Sequence, residues 1–81
     1  MTAPDRAVMI HAANTWLFVC TNRHMQDLIM QHCRISRGRS HGASSAWQPS
    51  YWDDPQQGYR RQPAVMVRDQ KLAFELMISF V

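Results

Sequence analysis

Cysteine is scarce in this 81-residue chain. There are two, Cys20 and Cys33, too few for the disulfide framework that props up small secreted domains. Long apolar runs are missing as well. The longest candidate, Ala7 to Cys20, is broken by His11 and Asn14, and nothing approaches the roughly 20 residues that a membrane span needs. Asp5 and Arg6 stand where a secretory leader would place a basic start and an apolar run. The three glycines form no phosphate-cradling loop, and neither a serine nucleophile elbow nor a paired-carboxylate motif is present. These absences lead to the expectation of a cytoplasmic protein in a reducing setting. It is expected not to be an enzyme, to bind no cofactor and no metal, and to have no membrane association.

What is there suits a folded chain. Hydrophobic residues make up 46% and charged residues 19%, more apolar and less charged than a disordered segment. The length allows one domain, 1–81, which buries only about 60% of its unfolded surface. Such a core is thin, and a partner or a second copy would help it.

Residues 1–5 are expected to fray. Ala7–Ala12 reads as a short strand, Asn14-Thr15 as a turn, and Thr15–Cys20, rich in aromatic and β-branched residues, as a second strand. Thr21 or Asn22 is a suitable N-cap for a helix running to about Ile35. Met25, Leu28, Ile29, His32 and Cys33 fall at helical spacing on its apolar side, with Arg23, Gln26, Asp27, Gln31 and Arg34 mostly opposite. From 36 to 63 periodicity stops, so this stretch reads as a long irregular connection. Within it Asp53-Asp54-Pro55 resembles a helix start that Gly58 would end after a turn. Ala64–Arg68 then reads as a strand, Asp69-Gln70 as a turn and Lys71–Val81 as a final strand. In that last segment Leu72, Phe74, Leu76, Ile78 and Phe80 alternate with a less apolar set. The expected fold is α+β, a small antiparallel sheet of three or four strands with one amphipathic helix packed on it, in the order β-β-α-loop-β-β.

Charge is distributed unevenly. Eight of the nine cationic residues are arginine. Arg34, Arg37, Arg39, Arg60 and Arg61 bracket the irregular stretch, which also holds Trp47, Tyr51, Trp52 and Tyr59. Arginine among aromatic rings suits a protein-docking surface, where Trp, Tyr and Arg dominate binding energy. It also suits RNA or DNA, with arginine on phosphate and rings stacked on bases. A third reading has the rings folding back to cap the thin core, with the arginines merely solvated.

Two chemical alternatives carry less weight. Cys20, His24, His32 and Cys33 offer a zinc donor set, but His24 falls on the polar side of the expected helix and Cys33 on the apolar side. Cys20 lies between a strand and a helix N-terminus, a position that can activate a thiol. The string LFVCTN, Leu17–Asn22, resembles the first strand and phosphate-loop start of low-molecular-weight protein tyrosine phosphatases. Gln26 stands where that loop has its phosphate-clamping arginine and the loop glycine is missing, so no assignment follows.

The expectation is therefore a small binding protein that docks onto a protein partner as an inhibitor, regulator or accessory subunit. Nucleic-acid binding through 34–61 is the alternative. A homo-oligomer through strand 71–81 is also expected.

Overall fold

The computed structural model describes residues 6–41 and 45–81. The expected fray of residues 1–5 lies outside them. Two short apolar runs, β1 (Val8–Ala12) and β2 (Thr15–Val19), form a hairpin closed by Ala13 and Asn14. Ala13 takes a left-handed φ of 53°, which such tight hairpin turns demand.

Helix α1 (Arg23–Arg37) starts where its cap was expected. The Asn22 side chain accepts the Met25 N–H at 2.9 Å, and Gly38, at φ 80°, closes the far end with its N–H on Arg34 O. The buried stripe is Met25, Gln26, Ile29 and Cys33. It is rotated from the expected one, for Leu28 is exposed. Gln26, assigned to the polar side by its character, is buried. Its Nε2 donates to Ala64 O at 2.8 Å and to Ser50 O at 3.3 Å, so the helix is hydrogen-bonded to the sheet beneath it.

Among its described residues, the 36–63 stretch is not irregular throughout. It holds β3 (Trp47–Asp54) and the first half of β4 (Arg60–Val67), whose mutual pairing is the longest in the sheet. A 3-10 turn over Pro55–Gln57 joins them. The Asp54 side chain caps it, and Gly58, in the left-handed region, ends it, as the Asp-Pro…Gly spacing implies. Of the expected strand Ala64–Arg68, Ala64–Val67 is the second half of β4.

The terminal segment is also corrected. Residues 70–80 form helix α2 (Gln70–Phe80), not a strand, with Asp69 as N-cap accepting the Leu72 N–H at 3.0 Å. Leu72, Ala73 and Leu76 are buried, and Met77 and Phe80 pack at the margin. That is a helical stripe, whereas Phe74 and Ile78 from the expected strand face are exposed. An oligomer built by strand pairing through 71–81 is thereby overturned, because these residues have no free strand edge.

The order is thus β-β-α-β-β-α, an α+β fold with a four-stranded antiparallel sheet in the order β1-β2-β4-β3. Both helices pack against β4, α1 also contacts β3, and the two helices pack on one another. The core lies between this helical layer and one sheet face. Phe18, Trp47, Val65 and Val67 supply the sheet side, and Ile29, Cys33, Leu72 and Leu76 the helices. The other sheet face has no helix among the described residues. No helix of the described residues is long and apolar enough to cross a membrane.

Candidate protein-docking surface

The nine residues singled out by sequence divide into two groups. Trp47 is 2% exposed. Its Nε1 donates to Gly38 O at 2.9 Å, and the Arg34 guanidinium lies 5.7 Å above its ring. This ring caps the core, the third of the readings open from sequence, and Arg34 serves as its lid. Arg37 is committed too. Its Nε donates to Asp69 Oδ2 at 2.8 Å, with Glu75 at 4.0 Å on another arm, so it ties the end of α1 to the start of α2. That hydrogen bond is the largest cause holding the Asp69 carboxyl below its ordinary value of 3.8, with the Leu72 N–H next. Glu75 is likewise lowered, first by the Ser36 hydroxyl at 2.7 Å and then by His32. Arg39 is exposed beyond α1.

The other five converge on the far end of the β3–β4 hairpin. Pairing of β2 with β4 stops at Val19–Ala64, so Arg60–Pro63 run past the end of β2, held there by the Cys20 N–H on Pro63 O at 2.8 Å. Residues directly opposite in an antiparallel pair share a face. Tyr51 opposite Pro63 and Asp53 opposite Arg61 therefore lie on the face of Trp47, just beyond the N-terminal end of α1. There Arg23 Nη2 donates to Tyr51 Oη at 3.4 Å, the Arg61 guanidinium sits 5.6 Å from the Tyr51 ring, and Arg61 Nε donates to Asp53 at 3.1 Å. Tyr51 is 51% exposed. On the opposite face lie Trp52 opposite Gln62 and Asp54 opposite Arg60. Trp52 forms one wall of a shallow groove whose other side is Arg6, Val8 and Val19. At the tip Tyr59 is 71% exposed and holds a φ of 60°. A bulky residue adopts this region only at a cost of about 1 kcal/mol or more.

Sequence reasoning missed Arg23, Asp53 and Asp54 as members of this surface. The hairpin register and the packing of the α1 start against it bring them together, and neither that register nor that packing has a local signature.

The chemical alternatives find little geometry. Cys20 is 1% exposed, its Sγ donating to Phe18 O at 3.7 Å. Burial pushes its thiol up to about 11, away from the thiolate that a nucleophile needs. Cys33 is pushed up to about 12, also by burial. His24 is exposed, while His32 turns to Glu75 and to the edge of Phe80. Among the described residues no three His, Cys, Asp or Glu side chains gather as a metal site would require.

The fold and surface thus define an α+β protein with a four-stranded antiparallel sheet, a two-helix layer and an overhanging aromatic hairpin. Compared with protein-family models, curated proteins and solved structures, the chain has no significant match.

Proposed function

We propose that the chain is a small non-enzymatic binding protein that docks onto a protein partner through the overhanging β3–β4 hairpin end, as an inhibitor, regulator or accessory subunit. The observation that carries this reading is the exposure of Tyr51 and Tyr59 beside Arg23, Arg60 and Arg61. Aromatic and arginine side chains of this kind supply most of the binding energy where proteins meet. Tyr51 is already held by two arginines, so little side-chain freedom is left to lose on docking. The strained backbone at Tyr59 agrees with selection for contact at the tip.

Charge separates this reading from direct RNA or DNA binding. The hairpin end brings three arginines against Asp53 and Asp54, and Asp53 directly engages Arg61. Affinity for nucleic acid comes largely from cations free to neutralise phosphates, and here two aspartates stand among the three arginines, Asp54 opposite Arg60 across the hairpin. A cytoplasmic setting accompanies this reading, supported by two unpaired cysteines in the core.

The test is retention of host proteins by immobilised wild type and by Tyr51→Ala/Tyr59→Ala, with nuclease and in moderate salt. A protein held by wild type and lost by the variant, with the melting temperature unchanged, supports the reading. Retention that vanishes with nuclease or falls steeply with salt refutes it in favour of nucleic acid.

A further inference from the structure

The two edges of the sheet are unlike. At the β3 edge, Pro49 removes a donor and Asp53 and Asp54 bring charge, the usual safeguards against pairing with another strand. At the β1 edge, Val8–Ala12 reads VMIHA, without proline, Lys, Arg, Asp or Glu. The backbone orientation of β1 is fixed by its neighbours. The Ala7 N–H donates to Phe80 O at 2.8 Å, on the side away from β2. Alternation along a strand then turns the N–H and C=O groups of Met9 and His11 outward too. Among the described residues nothing pairs with them.

We infer that β1 is the seat of a homodimer, in which β1 of a second copy pairs antiparallel across a two-fold axis at Ile10. The register follows from the free groups. Met9 and His11 are one residue apart on either side of Ile10, so Met9 of each copy faces His11 of the other and the two pairs exchange four hydrogen bonds. Ile10 then faces Ile10 of the partner subunit as a closely spaced, non-hydrogen-bonded pair. Val8, which is 63% exposed, meets Ala12 of the partner subunit on the same open face. The arrangement is isologous, so it closes at two copies and does not propagate.

Two copies of this net +3 chain repel one another, and this arrangement keeps that repulsion small. The sheet order places the β3–β4 hairpin on the far side of β2 from β1, so a β1–β1 contact keeps the two hairpin ends, each with three arginines against two aspartates, apart. The nearest cation, Arg6, is bonded to Val81 O and lies outside the paired segment, because Phe80 O takes the outward side of Ala7. The two Arg6 residues end about 27 Å apart, eight residues at about 3.4 Å each. The eight-stranded sheet that results also leaves both hairpin ends free, so this dimer does not depend on the docking surface above.

Sedimentation equilibrium of the full chain from micromolar to millimolar concentration, together with oxidation of single-cysteine variants, tests the inference. A two-fold axis at Ile10 places its Cβ atoms near disulfide distance. Ile10→Cys is therefore expected to oxidise to a covalent dimer about tenfold or more faster than Val8→Cys, whose counterpart is Ala12, because the pairing raises the local concentration of the two thiols. Ile10→Lys, a half-buried position on the open face, is expected to fold and to sediment as a monomer. A wild type that stays monomeric to millimolar concentration overturns the inference. So does a dimer in which Ile10→Cys cross-links no faster than Val8→Cys, since its contact would lie elsewhere.

Discussion

One strand, β3, passes through two environments. Its first residue, Trp47, is sealed between α1 and β4, with its indole N–H satisfied and a guanidinium over its ring. Four and five residues on, Tyr51 and Trp52 belong to a hairpin end that β2 no longer flanks. The difference arises from where the neighbouring elements stop, not from the residues themselves. Large aromatic rings in one strand can thus be core at one end and contact surface at the other. Substitutions along β3 and its neighbours sharpen or break that contrast.

The largest effect is expected at the covered end. Trp47→Ala should destabilise by about 3–5 kcal/mol, the cost of emptying a packed aromatic site, as read by denaturant unfolding. A loss below about 1 kcal/mol would deny Trp47 its place in the core. Next comes the tie between α1 and the sheet. Gln26→Leu leaves Ser50 O and Ala64 O without a side-chain donor and should cost about 1–3 kcal/mol.

A smaller effect is expected from the ionic tie of the helices. Asp69 and Glu75 have carboxyls lowered from their ordinary values of 3.8 and 4.5. The folded state thus favours their ionised forms. The stability this lends is present above the ordinary carboxylate range and is lost as pH falls through the lower folded values. Thermal unfolding from neutral to acid pH should show a decline that Asp69→Asn makes shallower. An unchanged acid limb in Asp69→Asn would show that the Arg37–Asp69 contact contributes nothing measurable. At the overhanging end the expected stability effect is smallest: Tyr51→Ala and Tyr59→Ala should each shift stability by less than about 1 kcal/mol.

The contrast also explains what could be read in advance. Asn22, the apolar spacing after it and Gly38 beyond it announce α1 locally, and the β-branched and aromatic run Thr15–Val19 announces β2. Asp54, Pro55 and Gly58 likewise announce the 3-10 turn. The hairpin around that turn is obscured because Pro49, Pro63 and the two aspartates are poor strand residues, tolerated here on an edge strand and where β4 outruns β2. Helix α2 is obscured for the opposite reason. Its segment is apolar at nearly every position, so Leu72, Phe74, Leu76, Ile78 and Phe80 satisfy a period of two while Leu72, Ala73, Leu76, Met77 and Phe80 satisfy a helix. Asp69 as N-cap and the helix-forming Lys-Leu-Ala run were the discriminating signals. For the candidate surface, the enrichment in arginine and aromatics was visible. Its sorting into a core cap at Trp47, a helix tie at Arg37 and an exposed group at Tyr51, Tyr59 and Arg61 was not, because that sorting depends on strand register.

The most direct test of the contrast is a paired measurement on Tyr51→Ala/Tyr59→Ala: unfolding free energy and retention of a nuclease-resistant protein partner, both read against wild type. The expected result is near-wild-type stability with the partner lost. A variant that keeps the partner, or one destabilised as strongly as Trp47→Ala, would contradict the division of β3 into a core half and a docking half.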